Sequence, residues 1–333
     1  MKILLTGATG FVGRNVLLRL LKQGTYEHIY CAVRSVDKLK AQLSEEGFET
    51  LPPQLIPLEA AAPKWEFKEI EVDHVLHSAG VIAASNRNDY FETNVGGTIR
   101  LVNRVKARRV LILSSMAAAG PCVKGQVART ENSFDVPVTW YGQSKLEMEK
   151  RLAAECSGLN YLCLRPPIIL GPRDTMELAL FKLVRQPFHL KPGFLKKYYS
   201  FIGVHDLIDA IFCALGSKQE WSGLSRRSFF VTHGEPITDR QWIRAVAQVS
   251  GQKGVILPVP QPCLRLLSFV VDSVPALRSA VPSMTRDRAK DLWPARWVAS
   301  SEMFEKNFSW KAKQSLQDVL TSAYKWYLKK GIL

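Results

Sequence analysis

Met1-Lys2-Ile3-Leu4-Leu5-Thr6, followed by Gly7-Ala8-Thr9-Gly10-Phe11-Val12-Gly13, is the stretch on which the fold is decided. A short apolar run of the first kind suits a buried parallel strand. Val16, Leu17, Leu20 and Leu21 then recur at helical spacing, and Gly24 closes that pattern. The three glycines therefore lie between a strand and a helix. A helix start offers unpaired N–H groups and the positive end of its dipole to an anion such as a pyrophosphate. Glycine lets the backbone approach the ligand and lets the helix pack closely on the strand.

The second strand, Ile29-Tyr30-Cys31-Ala32-Val33, ends at Arg34. In dinucleotide folds the residue at this place reads the adenosine ribose, and an acidic one binds the 2′-hydroxyl of NAD. An arginine cannot accept from that hydroxyl but pairs well with a 2′-phosphate. Lys38 follows one helical turn later, and Arg14 at the start of the first helix is expected to reach the same region. The pattern predicts NADP, with NAD the less favoured cofactor.

Further along, Val110 to Leu113 reads as a central strand ending at Ser114-Ser115. Tyr141-Gly142-Gln143-Ser144-Lys145 opens a helix to Arg151, with Leu146, Met148 and Leu152 on its apolar side. Tyr141 and Lys145 are four residues apart and share a helix face. An ammonium beside a phenol lowers the phenol's pKa, so the tyrosine can exchange a proton with a hydroxyl or carbonyl near neutral pH. A nearby serine would hold the same oxygen. Anchoring on Gly120-Pro121 favours Ser115, with Ser114 supporting.

Gly-x-x-Gly-x-x-Gly, the serine pair and Tyr-x-x-x-Lys together resemble the extended short-chain dehydrogenase/reductase superfamily, the epimerase/dehydratase group. The turn Ser114 to Pro121 and the run Val33 to Lys38 resemble its 3β-hydroxysteroid dehydrogenase and dihydroflavonol reductase branch. Val75 to Gly80 looks like the family's fourth strand and the turn under the cofactor, and Asn94-Val95-Gly96-Gly97-Thr98 like its Asn-Val-x-Gly-Thr helix. Leu164 to Pro172 resembles the strand and loop that touch the nicotinamide carboxamide through backbone groups, and Ser309-Trp310 the final turn before the last helix. The resemblance implies Ser115, Tyr141 and Lys145 as catalytic residues. It implies cofactor contacts from Gly7, Gly10, Phe11, Val12, Gly13, Arg34, Lys38, Ala79, Asn94, Tyr141, Lys145, Pro166 and Ile168. Two departures stand out: only Glu59 is available where the family often has an acidic residue after the third strand, and His205 precedes Asp206, which is expected to cap the helix Leu207 to Leu215.

The implied fold is α/β, a doubly wound parallel (Rossmann) sheet with a smaller, mostly helical C-terminal cap. Residues 1–171 and 204–232 would form the dinucleotide-binding domain, and 172–203 with 233–333 a discontinuous substrate-binding cap. A chain of 333 residues is long enough for a substantial core, and its 23% charged and 47% hydrophobic content is ordinary for a soluble protein. No apolar stretch is long enough to span a bilayer without charges, and the glycine motif follows too soon for a signal peptide. Six cysteines without Cys-x-x-Cys spacing read as reduced, and no cluster has metal-ligand spacing, so a cytoplasmic protein without a metal is expected.

The net charge is +15, with Lys191, Lys196, Lys197, Arg226, Arg227, Arg286, Arg288 and Lys290 contributing late in the chain. It suits an anionic substrate or an anionic membrane surface; a nucleic-acid partner is not indicated. Peripheral membrane contact and a homodimer stay open. Leu264 to Val281 is apolar but interrupted by Arg265, Asp272 and Arg278; it reads as a core helix of the cap, a wall of an apolar pocket, or an interfacial segment. The expected function is NADP-dependent interconversion of a carbonyl and a secondary alcohol on a bulky, apolar small-molecule substrate. A nucleotide-sugar epimerase or dehydratase, and a cofactor-sensing regulator without activity, are the alternatives.

Overall fold

The computed structural model describes residues 1–84, 86–280 and 284–333. Seven strands form one parallel sheet: β1 (Lys2–Thr6), β2 (His28–Val33), β3 (Leu55–Glu59), β4 (Ile70–His77), β5 (Val105–Leu113), β6 (Tyr161–Arg165) and β11 (Ser228–Phe230), in the order β11-β6-β5-β4-β1-β2-β3. This is the predicted doubly wound sheet. The strand order reverses between β1 and β4, where such sheets open a crevice at their carboxyl ends. Thr6 pairs with Ala32 and His77, His77 with Ile112, and Leu113 with Leu164. The strands thus finish level, and the loops after β1, β4, β5 and β6 open on one edge.

Helices cover both faces. They are α1 (Phe11–Gln23), α2 (Val36–Ser44), α3 (Arg87–Phe91), α4 (Gly97–Arg104), α5 (Met116–Ala119), α6 (Trp140–Glu155), α7 (Leu178–Leu183) and α8 (Val204–Gly216). Ile3 and Leu5 pack with Val16, Leu17, Leu39, Leu43, Leu207 and Ile211 on one face. Leu4 packs with Ile99, Val102, Met148 and Leu152 on the other. The alternation along β1 follows the two-residue period of a strand, and its near-continuous apolar run follows from burial on both sides. Gly24 ends α1 in the left-handed conformation, with its N–H donating to Leu20 O at 3.2 Å, as the sequence predicted.

The C-terminal region combines short strands with helices. β7 (Ile168–Leu170) pairs with β10 (Phe201–Gly203), β8 (Phe188–Pro192) with β13 (Val255–Val259), and β9 (Tyr198–Tyr199) lies between β12 (Ile237–Thr238) and β14 (Arg296–Trp297). The helices are α9 (Asp239–Val249), α10 (Gln261–Ser273), α11 (Pro275–Ala280), α12 (Glu302–Phe308) and α13 (Leu316–Lys329). Phe181, Phe201, Val246, Leu320 and Tyr327 centre a third apolar cluster there. Phe304, Phe308 and Trp310 instead pack into the cluster beneath β1 and β2.

Two expectations change. Asp206 does not cap its own helix: it sits inside the first turn of α8, and its carboxylate accepts from the backbone N–H groups of Lys313 and Gln314 at 2.9–3.1 Å. It ties α8 to the chain entering α13. The run from Leu264 is no core helix either, since in α10 only Ser268 and Val271 are buried. Val281, its last residue, lies outside the described residues. No described helix is long and apolar enough to cross a membrane. The six thiols are free, with Cys31, Cys156 and Cys163 buried.

Candidate active site

The glycine loop is a tight cradle. Gly7 has φ +73°, a conformation that strains any other L-residue, and a Cβ on Gly13 would lie 2.1 Å from Gly7 O. Gly10 N donates to Gly7 O at 2.9 Å. Phe11 and Val12, both half-buried, open α1, whose first turn carries no acidic residue. A hydrogen-bonded floor runs beneath. Ser78 donates to Thr6 O at 2.7 Å, and Ala79 N to Thr6 Oγ1 at 3.1 Å. Thr98 donates to Asn94 O, so it accepts from His77 Nε2 (2.9 Å), which leaves His77 Nδ1 to accept from Thr6 (2.7 Å). Burial first, and Lys145 second, push the His77 imidazole down to about 3, so it stays neutral.

Asn94 sits in a π-helical turn, Glu92–Gly96. Its side chain staples the loop after β4, accepting from Val81 N at 2.8 Å and donating to Val81 O at 3.1 Å and Ser144 Oγ at 3.0 Å. Asn94 Oδ1 and Lys145 Nζ converge on Gly80, where an added Cβ would meet them at 3.0 and 3.3 Å. Lys145 Nζ donates to Leu113 O at 2.8 Å, and burial lowers its pKa to about 8. The Gly7–Gly13 cradle and this bare backbone at Gly80 fit a dinucleotide laid across the β1–β4 crevice.

The serine pair divides its labour. Ser115 caps α5, accepting from Ala117 N at 3.1 Å, and hydrogen-bonds the Tyr141 side chain. Ser114 donates to Glu149, which Arg165 also engages at 2.6–3.1 Å while gripping Asp135 with two bonds of 2.8 Å. Ser114 therefore belongs to a buried ion network, and Ser115 faces the phenol. Thr139 caps α6, accepting from Gly142 N at 3.3 Å, which fixes Tyr141 in the first turn.

A second cation, Arg288, stands beside Tyr141. Burial raises the phenol's pKa, while the Ser115 hydrogen bond and then the Arg288 guanidinium pull it down. Lys145, one helical turn on, keeps its ammonium on Leu113 O. Arg288 Cζ lies 5.3 Å from the Tyr141 ring centroid, and Tyr90 flanks the ring at 6.4 Å. Arg288 belongs to a short 3₁₀ turn, Arg288–Leu292, that docks on the start of α6. Trp140 N donates to Asp287 at 2.9 Å, Thr139 hydrogen-bonds Asp291, and Arg288 pairs with Asp291 at 3.1 Å. In the sequence Arg288 stands out merely as part of the late basic excess.

The remaining predicted contacts spread along the sheet edge. Arg34 is exposed just past β2 and lines a groove of 290 Å³ with Glu59, Lys64 and Glu66. Lys38 lies in the first turn of α2, its N–H donating to the Ser35 cap at 3.2 Å. Arg14 does not join them: it is held by Glu45, Glu46 and Gln42 O at 2.8–2.9 Å. Pro166 has no N–H, and its carbonyl accepts from Met116 N at 2.9 Å. Ile168, half-buried, starts β7.

Comparisons with known proteins bear on this geometry. Residues 3–223 match the model of the NAD dependent epimerase/dehydratase family. A ceramide reductase of Caulobacter vibrioides is 25% identical over 338 residues, covering 99% of this chain and 96% of that protein. A UDP-glucose 4-epimerase of Vibrio cholerae is 27% identical over 279 residues, 79% of this chain and 80% of that one. A 3 beta-hydroxysteroid dehydrogenase/Delta 5-->4-isomerase of Mycobacterium tuberculosis is 26% identical over 286 residues, 79% and 73%. The crystal structure of UDP-glucuronic acid 4-epimerase from Bacillus cereus, in complex with UDP-glucuronic acid and NAD, has the same fold, with a TM-score of 0.77 at 18% identity over 99% of this chain and 100% of that one. With its glycine cradle, level strand ends and Ser115–Tyr141 pair, this chain belongs to the NAD dependent epimerase/dehydratase family and is an NAD(P)-dependent enzyme of it.

Proposed function

We propose that the protein is an NADP-dependent reductase of a carbonyl group on a bulky, largely apolar small molecule, with the reverse alcohol oxidation at the same site. The observation that carries this is the cap side of Tyr141. Among the described residues the cation against its ring is Arg288, already paired with Asp291. A nucleotide diphosphate calls for several basic groups converging on one place; an apolar substrate needs none, since burial of apolar surface contributes roughly 25 cal/mol per Å². Full-length similarity to a ceramide reductase supports the same reading.

Bound NADPH supplies the hydride. Tyr141, kept protonated by burial, donates its phenolic proton to the substrate carbonyl oxygen, and Ser115 holds that oxygen from the other side. Lys145 and Asn94 receive the nicotinamide ribose at Gly80. Gly7, Gly10 and Gly13 with the first turn of α1 hold the pyrophosphate, and Arg34, with Lys38, pairs with the 2′-phosphate. Residues 1–171 and 204–232 carry these groups; 172–203 and 233–333 supply the substrate side, including Arg288.

The test is turnover by the purified protein with NADPH and long-chain or steroidal ketones, read as ketone-dependent NADPH consumption and alcohol product by mass spectrometry. UDP-glucose is assayed in parallel for UDP-galactose. Similarity to the Vibrio cholerae epimerase favours that second reading; epimer formation without ketone reduction would establish it and defeat the first.

A further inference from the structure

We propose that the outer face of the C-terminal region, formed by the β8–β13 ribbon, residues 193–195 and α10, seats the protein on an anionic lipid surface. This does not depend on the substrate class. In the ribbon Phe188 lies opposite Val255 and Leu190 opposite Leu257. Alternate residues of a strand share a face, and these four share the solvent face while His189 and Lys191 between them are buried. Gly193 N donates to Val259 O at 2.9 Å. The chain thus leaves β8 at the end of the ribbon where α10 begins, and places Phe194 and Leu195 there, 70% and 73% exposed. α10 adds Leu266, Leu267, Phe269 and Val270, with Leu266 66% exposed. Exposed large apolar side chains in such number mark an interaction site.

Charge indicates what covers it. Residues 182–197 hold five Lys or Arg and no Asp or Glu, and residues 253–273, to the end of α10, hold two against the single carboxylate of Asp272, which is paired with Arg286 at 3.0 Å. Lys191 and Lys197 are buried, but Arg185, Lys196, Lys253 and Arg265, in the same segments as the apolar side chains, are exposed. Along the ribbon a groove of 730 Å³ is lined by Arg240, Arg244 and Lys253 with Val255 and Ile256, and by no carboxylate. A second copy would press two such basic surfaces together, on a chain of net charge +15. Anionic headgroups answer the cations, and the acyl boundary beneath them accepts the apolar side chains.

Flotation with vesicles tests this on the full chain. Binding is expected to phosphatidylglycerol mixed with phosphatidylcholine in equal parts, weakened by salt, and absent with phosphatidylcholine alone. The double variant Leu266→Ser/Phe269→Ser should lose flotation, and Lys253→Ala or Arg265→Ala should each weaken it about fivefold. All four side chains are exposed, so unchanged melting and NADP binding are expected in the variants. Failure to float with phosphatidylglycerol, or undiminished flotation of the double variant, overturns the proposal. So does a dimer in sedimentation that the double variant dissolves, which would assign the face to a second copy.

Discussion

The two sides of Tyr141 are built differently. On the sheet side the neighbours are Ser115, two residues past β5, and the cradle formed by the loops after β1 and β4, each a short contiguous motif. On the cap side they are Arg288 and Asp291, brought in by contacts such as Trp140 N to Asp287, which joins residues 147 apart. In the function proposed above, the sheet side holds the cofactor and the proton donor, and the cap side supplies the charge that the donor and its substrate feel. On that reading family chemistry rests on local backbone geometry and substrate choice on long-range packing.

Removing the phenol breaks the sheet side most severely. Tyr141→Phe should lower turnover by about 10²–10⁴-fold, because the proton must then come from water. NADP affinity and the melting temperature should stay close to wild type, since the phenol's partner is the Ser115 hydroxyl and not the cradle. Steady-state kinetics on the first substrate found, with calorimetry for the cofactor, checks this. An active Tyr141→Phe protein would remove the assignment.

Next in size is the far end of the same edge. Arg34→Asp should cost NADP about 1.5–3 kcal/mol, the loss of a charge-assisted contact, and should narrow or reverse the preference over NAD. Equal affinities of the wild type for the two cofactors would show that Arg34 serves Glu59 or solvent instead. The position of Arg34 just past β2 was legible because it follows from counting along that strand. The glycine turn, α6 and its Tyr141–Lys145 spacing were legible for the same reason: each is written within one or two turns of chain. Ser115 could be preferred over Ser114, but the reason was out of reach, since Ser114 is claimed by Glu149 and Arg165 from α6 and β6. Lys145 was placed on the right face, yet its ammonium turns to Leu113 O. Arg288 was not legible as a site residue. Arg286-Asp287-Arg288-Ala289-Lys290-Asp291 reads as a solvated charged face, and only tertiary docking gives one of its guanidiniums a phenol. The place of α10 stayed open among three readings for a similar reason, because apolar residues at helical spacing look alike whether the helix faces a core or water.

On the cap side the expected effect is smaller. Arg288→Ala should lower turnover about tenfold, as one cation near a buried reacting group contributes on the order of 1 kcal/mol. It should also move the pH–rate profile for alcohol oxidation upward, because Arg288 favours the phenolate. Arg288→Lys should restore part of the turnover while keeping the charge. A profile that does not move would reduce the cap side to a steric role.

The smallest effect decides whether Arg288 is spent on Asp291 or remains available to Tyr141. Burial raises the Asp291 carboxyl to about 6, against the lowering pull of Arg288, Lys290 and the Thr139 hydrogen bond. An unfolded aspartate titrates near 4. The folded state therefore holds this proton more tightly than the unfolded state does. Its contribution to stability is fully present below about pH 4 and is lost as pH rises through about 6. Asp291→Asn is neutral throughout and should show no such loss. The melting temperature of the variant should accordingly gain on that of the wild type between pH 4 and 7, by an amount on the order of 1 kcal/mol once solvent screening at a partly exposed side chain is allowed for. Asp174, also raised to about 6, and His74, lowered to about 4, titrate in both proteins and cancel in the difference. If the Arg288 pair outweighs burial, the sign reverses: Asp291 would then be ionised and stabilising at neutral pH, and the variant would fall behind the wild type as pH rises. That outcome would mean that the guanidinium above Tyr141 is neutralised by its own turn, leaving burial and Ser115 to set the phenol's acidity.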